Sequence, residues 1–180
     1  MNAFESIVAQ YLEAEGYWVR QSVKVKITKD DKKAIGLPTM PTPEIDIVAL
    51  SVKRNELLLV EVKSFLDSQG VYSDAVCTDE YRASKRYRLF NETKYRRIVS
   101  KRIAEEYLGS GLINSKTNIN YALAAGKIHS GDEDNLRANF SKKGWILITP
   151  SEIKNKVKEL ANKGWEDNLV TMTAKLIMRD

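Results

Sequence analysis

The stretch Pro43-Glu44-Ile45-Asp46-Ile47-Val48-Ala49-Leu50, followed after a polar break by Leu57-Leu58-Leu59-Val60-Glu61-Val62-Lys63, decides the fold. Both runs are short, rich in branched side chains and bounded by turn residues, the pattern of buried strands. Ser51-Val52-Lys53-Arg54-Asn55 separates them and is short enough to make the pair an antiparallel hairpin. A turn centred between Lys53 and Arg54 sets Asp46 directly opposite Glu61, with Cβ atoms about 5 Å apart. Lys63, two residues beyond Glu61, points the same way because side chains alternate along a strand. A lone charge in an apolar strand costs several kcal/mol unless it is paired or bound to metal. An ion-pair network at a sheet edge explains any one of these residues; two acids and an ammonium together suit catalysis better. Two carboxylates at that spacing fit Mg²⁺, a hard ion taking oxygen ligands at about 2.1 Å. The lysine can then orient or deprotonate a water and offset charge on a phosphate.

Composition sets wide bounds around this pair. The 180 residues are enough for one domain with a sizeable core, and 43% hydrophobic with 29% charged residues is ordinary for a globular protein. A net charge of +5 permits a polyanionic partner without demanding one. Cys77 alone forms no intramolecular disulfide, and with His129 alone it cannot build a usual zinc site. No apolar run reaches the length of a membrane span, and the N-terminus lacks a signal-peptide pattern. The expectation is a cytoplasmic protein with no membrane partner.

Working outward, Phe4, Ile7, Val8, Tyr11 and Leu12 recur at helical spacing, with Asn2 placed to cap the helix and Gly16 to close it. Glu5 stands at capping-box spacing from Asn2. Val19, Val23, Val25 and Ile27 alternate with Arg20, Ser22, Lys24 and Lys26, which predicts a half-exposed strand with a basic outer face. Residues 28–43 read as a loop, because Pro38, Pro41 and Pro43 oppose regular structure.

Residues 82–102 carry Arg82, Lys85, Arg86, Arg88, Lys94, Arg96, Arg97, Lys101 and Arg102 against a single acid, Glu92. Tyr95, Ile98, Val99, Ile103 and Tyr107 make a helical core stripe, with Lys94, Arg97 and Lys101 on another side. Tyr81, Tyr87 and Phe90 interleave with the cations. A solvated helix normally mixes signs, so this bias points to the phosphate backbone of a nucleic acid, giving affinity without base specificity.

Ile119–Ile128 reads as a strand, and Ser130 with Glu133 as a capping box, which accounts for the acids Asp132, Glu133 and Asp134 without a metal. His129 reads as an exposed loop residue, though it could assist a leaving group. A short helix ends at Gly144, and Trp145–Ile148 is another strand. Thr149-Pro150-Ser151-Glu152 starts a helix that runs to Gly164. A last amphipathic helix uses Leu169, Met172, Thr173, Leu176 and Ile177, to cover the sheet or form a dimer face. The whole order predicts an α/β sandwich around a mixed central sheet flanked by helices.

Pro43-Glu44-Ile45-Asp46 with Glu61-Val62-Lys63 resembles the active-site motif of the PD-(D/E)XK nuclease superfamily, which includes restriction endonucleases, archaeal Holliday-junction resolvases and DNA-repair nucleases. The resemblance covers roughly residues 1–150, as a nuclease-like core, with 151–180 a C-terminal helical extension packed on the core or on a dimer partner. Here the acid after the proline is displaced, which leaves open whether Glu44 or Asp46 is the principal ligand. Alternation puts both on one face, and Asp46 sits deeper in its strand.

The resemblance implies a restriction-endonuclease-like fold and a Mg²⁺-dependent endonuclease acting on DNA, with Mn²⁺ able to substitute. Asp46 and Glu61 would bind metal with Glu44 assisting, and Lys63 would activate water. Glu5 matches a first-helix glutamate that leans toward the metal in many relatives. Ser64, Ser68 and Gln69, just past the motif, become substrate-loop candidates, although an ordinary polar turn explains them equally. Arg82, Lys85, Arg86, Arg88, Lys94, Arg97 and Lys101 would hold the nucleic acid. Cutting two strands needs two sites, which makes a homodimer plausible. The alternative is a catalytically silent nucleic-acid-binding module of the same fold, which would have no need of the buried charges.

Overall fold

A computed structural model describes residues 3–78, 80, 84–164 and 166–179. Helix α1 (Ala3–Ala14) leads into an antiparallel meander of β1 (Trp18–Lys24), β2 (Glu44–Ser51) and β3 (Glu56–Lys63). After a helical excursion, β4 (Asn118–Ala125) lies parallel to β3, and β5 (Ile146–Ile148) parallel to β4. The fold is therefore α/β, a five-stranded mixed open sheet in the order β1-β2-β3-β4-β5. Pairing of Ile47 with Val60 and of Ser51 with Glu56 gives the hairpin the register expected from its turn.

The sheet separates two apolar layers. One packs Leu57, Leu59 and Leu123 beneath α5 (Thr93–Gly109), through its buried Tyr95, Val99, Ile103 and Tyr107. This layer also takes Leu89 and Phe90 of the short α4 (Arg88–Asn91), with α3 (Ser73–Cys77) and α6 (Glu133–Lys143) at its rim. The other layer packs Leu58, Val60 and Ala122 against Phe4, Val8 and Leu12 of α1 and Ile153 of α7 (Pro150–Ala161). Such alternation along β3 and β4 is what a sheet buried on both faces demands.

Four expectations are corrected. Residues 28–43 contain α2 (Lys29–Ile35), held by a capping box between Thr28 and Asp31 and closed by Gly36 at φ 86°. The box satisfies orphan N–H groups at one end, and a left-handed glycine does the turning at the other. The first strand ends at Lys24, and Val19 packs in the α1 layer, whereas Val23 and, past the strand, Val25 and Ile27 pack in the α5 layer. Ser22, at φ 53°, is the cause: a left-handed residue inside a strand resets the alternation. Arg20 correspondingly lies against Tyr107 and is not part of a free basic row. Helix α6 starts after Asp132, whose side chain makes no cap bond, so the capping box expected at Ser130 is absent, and α7 ends at Ala161, before Gly164. Helix α8 (Leu169–Met178) has the expected period and turns its stripe outward: Leu169, Leu176 and Ile177 are 82%, 78% and 76% exposed, and only Thr171 and Ala174 are buried. Asn2, the proposed cap of α1, lies outside the described residues. Among those described, no helix is long and apolar enough to cross a membrane.

Candidate active site

The β2–β3 ladder has its last registered pair at Ile47 and Val60, and beyond it the strands fork. Inside the fork the Asp46 carboxylate accepts a hydrogen bond from the N–H of Val62 at 2.7 Å, so a side chain takes over from the ladder. The apolar neighbours record the same twist, since Ile45 enters the α5 layer and Ile47 the α1 layer. Strict alternation would send both to one face. Opposite β2, the tight pairing of β3 with β4 runs on to Lys63 and Ala125, and Gly126 N–H donates to the Lys63 carbonyl at 2.8 Å. A Cβ on Gly126 would stand 2.3 Å from the Ser64 carbonyl oxygen, so this close approach requires glycine. One strand of the fork is thereby held to β4, while the other follows β1, with which it stays paired through Val23–Ile45 and Lys24–Glu44.

Asp46, Glu61 and Lys63, the core of the expected site, meet in that fork. Lys63 Nζ is hydrogen-bonded to Glu61 Oε1 and stands 3.8 Å from Asp46 Oδ2. The Asp46, Glu61 and Lys63 side chains keep only 22%, 17% and 17% of their surface. Burial dominates the electrostatics of Glu61, pushing its carboxyl up from 4.5 to about 7. Lys63 opposes that shift, while the charges of Asp46 and Glu5 add to it. Two phenols of the α5 layer also feel Glu61. Burial first, then this carboxylate, raises Tyr95 to about 12 and moves Tyr87 upward as well. Both stay neutral, so these two side chains meet the acids as hydroxyls. Sequence reasoning placed Tyr95 in the core and Tyr87 among the cations; their proximity to Glu61 follows only from the packing of α5.

The remaining candidates lie at graded distances. Glu5 reaches the centre by its charge, and its backbone carbonyl accepts a bond from Gln21 Nε2 at 3.4 Å. Glu44 is exposed and sits at the mouth, in a cleft of about 510 Å³ lined also by Pro41, Pro43, Arg88 and Tyr95. The twist at Asp46 removes the parity that would have set Glu44 beside it. In the turn after Lys63, Ser68 is committed locally, donating to the Phe65 carbonyl and accepting from Gly70 N–H. Ser64 is half-buried and Gln69 exposed.

The basic segment splits into two populations. Arg88 grips Glu92 through two bonds of 2.7 Å and lies 4.3 Å over the Tyr95 ring, so it is a structural clamp and not a free phosphate contact. Arg96 donates to the carbonyls of Leu89 and Phe90 and lies 4.9 Å over the Trp145 ring, and Arg102 clamps Asp31. Tyr87 and Phe90, expected between the cations, are buried core residues. By contrast Lys85, Arg86, Lys94 and Arg97 are exposed and make no ion pair among the described residues, and Lys101 holds only a 3.7 Å pair with Glu105. Tyr95, at the start of α5, feels the charge of Glu61, while its chain neighbours Lys94 and Arg97 are exposed on other sides of the same helix. Arg82 and Tyr81 lie outside the described residues. His129 is half-buried rather than a free loop residue: it stacks on Tyr72 and bonds Asp132, which Ser73 also contacts.

Among the described residues no group of three His, Cys, Asp or Glu side chains gathers to hold a metal. The site offers the pair Asp46 and Glu61. That donor set suits Mg²⁺, which keeps several waters and binds through one or two carboxylates. Compared with protein-family models, curated proteins and solved structures, the chain matches none.

Proposed function

We propose that this chain is a Mg²⁺-dependent nuclease of the PD-(D/E)XK type that hydrolyses phosphodiester bonds in DNA. The observation that carries this reading is the convergence of Asp46, Glu61 and Lys63 in a strand fork. A buried acid raised to about 7 beside an ammonium is an expensive arrangement, and perturbed groups of this kind concentrate at functional sites. Asp46 and Glu61 are the residues that would hold Mg²⁺, which would supply Lewis acidity and a more acidic bound water.

The chain's own residues do the rest. Val62 N–H fixes the Asp46 carboxylate, so this donor is set before any ligand arrives. Lys63 bonds Glu61 in the structure, and its ammonium is the group that would hold the attacking water and neutralise charge developing on the phosphate. Lys94 and Arg97 attract the backbone, giving affinity without reading bases.

The test is cleavage of plasmid and branched DNA with Mg²⁺, Mn²⁺ or EDTA, beside a Lys63→Ala variant. Metal-dependent cleavage, reduced at least ~10³-fold in the variant, is expected. Salt-sensitive binding without cleavage of any DNA form would instead assign the chain to a catalytically silent binding module.

A further inference from the structure

Helix α8 turns its apolar stripe outward. Leu169, Met172 and Leu176 follow one another at i, i+3 and i+7, with Ile177 beside them, and all four are exposed. An apolar ridge of this kind on a protein surface marks a site of association. Beside the ridge, between α8 and α1, runs a groove of about 730 Å³, floored by Ile7, Val19 and Val157. Ridge and groove therefore lie side by side on one copy, the arrangement a two-fold axis can use twice.

Charge selects the occupant. Glu166 and Asp167 are exposed just before α8, and Arg179 is exposed just after it. In an antiparallel pair centred between Met172 and Thr173, Leu169 meets Leu176 of a second copy. The acids at one helix start then meet the arginine at the other helix end. The helix dipoles oppose one another in the same geometry. A stable pair needs roughly 800 Å² from each copy, more than a single short helix supplies, so the neighbour's ridge must also enter the groove. We propose that α8 is the interface of a two-fold homodimer, formed antiparallel, ridge into groove. The interface lies on the α1 and α7 side and leaves the acid fork and the cations of α5 open. It stands independently of the nuclease reading.

Sedimentation equilibrium of the full chain across micromolar concentrations tests this, with thermal melting to establish folding. The wild type is expected to be dimeric. Leu176→Glu is expected to weaken the dimer roughly 30-fold or more while its monomer stays folded, because the side chain is outside the core. Asp167→Arg and Arg179→Asp should each weaken the dimer, and the two changes combined should restore it. A wild type that stays monomeric overturns the proposal, and if it then co-sediments with phosphatidylcholine–phosphatidylserine vesicles the face belongs to a membrane surface. A Leu176→Glu protein that remains dimeric, or a combined charge swap that fails to restore the dimer, also overturns it.

Discussion

Glu61 is the residue at which the structure stores the most unfavourable electrostatics. Its carboxyl rises from 4.5 to about 7 because burial outweighs the bond from Lys63, so the folded chain holds this proton more tightly than the unfolded chain does. The linkage has a definite sign. Below about pH 4.5 the group is protonated in both states and costs nothing. As pH rises from 4.5 to 7 stability is lost, and above 7 the loss is complete, on the order of 3 kcal/mol for a shift of this size. Replacing the acid with a neutral isostere should remove that cost while Asp46 still faces Lys63. Glu61→Gln is therefore expected to raise Tm by several degrees at about pH 8 and to leave it nearly unchanged at about pH 4. Thermal melts at the two pH values measure this; an equal shift at both would show that packing, not charge, governs the site. The register of the hairpin, from Ser51–Glu56 to Ile47–Val60, was legible in the sequence because it follows from turn position. The fork was not. It depends on a twist that Ile45 and Ile47 reveal only through the layers they enter.

At the scale of elements, α2 shows how a sequence signal can be present and outweighed. Thr28-x-x-Asp31 with Gly36 is the same start-and-stop chemistry that located α7 from Thr149 and Glu152, yet three prolines downstream dominate the reading. The helix has no buried residue of its own. It is tied to α5 by Arg102, which donates to both carboxylate oxygens of Asp31 at 2.7 and 3.1 Å. That bond, with help from Thr28 N–H, holds the Asp31 carboxyl down at about 2. A depressed acid contributes stability above its unfolded value of 3.8, and the contribution is lost as pH falls through 2. Asp31→Asn is expected to lower Tm modestly at about pH 7, with faster hydrogen exchange across α2 than across β2, and the gap should close as pH falls below 3.8. Unchanged exchange in α2 would mean that its anchor lies elsewhere, in the bond from Lys32 Nζ to the Met40 carbonyl. For α8 two faces stayed open, the sheet or a second copy, because periodicity identifies an apolar stripe but not the surface that covers it.

For the molecule as a whole, the decisive property is how charge is laid out over the surface. A net +5 spread evenly would attract DNA only weakly, whereas Lys85, Arg86, Lys94 and Arg97 are exposed and hold no ion pair among the described residues. Counting cations in the sequence overstated this surface, because Arg88, Arg96 and Arg102 are engaged by Glu92, backbone carbonyls and Asp31. Geometry therefore separates two outcomes that composition merges. In the Lys63→Ala protein, which the proposed mechanism expects to bind without cutting, Lys94→Ala with Arg97→Ala should weaken DNA binding uniformly across sequences. It should also reduce the slope of log affinity against log salt by about 2, roughly one for each phosphate that is no longer neutralised. Arg88→Ala should leave that slope unchanged and instead lower Tm, since it strips the cation from Tyr95 and frees Glu92 beside the acid fork. Fluorescence-anisotropy titrations over a salt series, with melts of the same proteins, distinguish the two. A slope that responds to Arg88 and not to Lys94 and Arg97 would move the DNA path off the start of α5 and into the cleft beside Glu44.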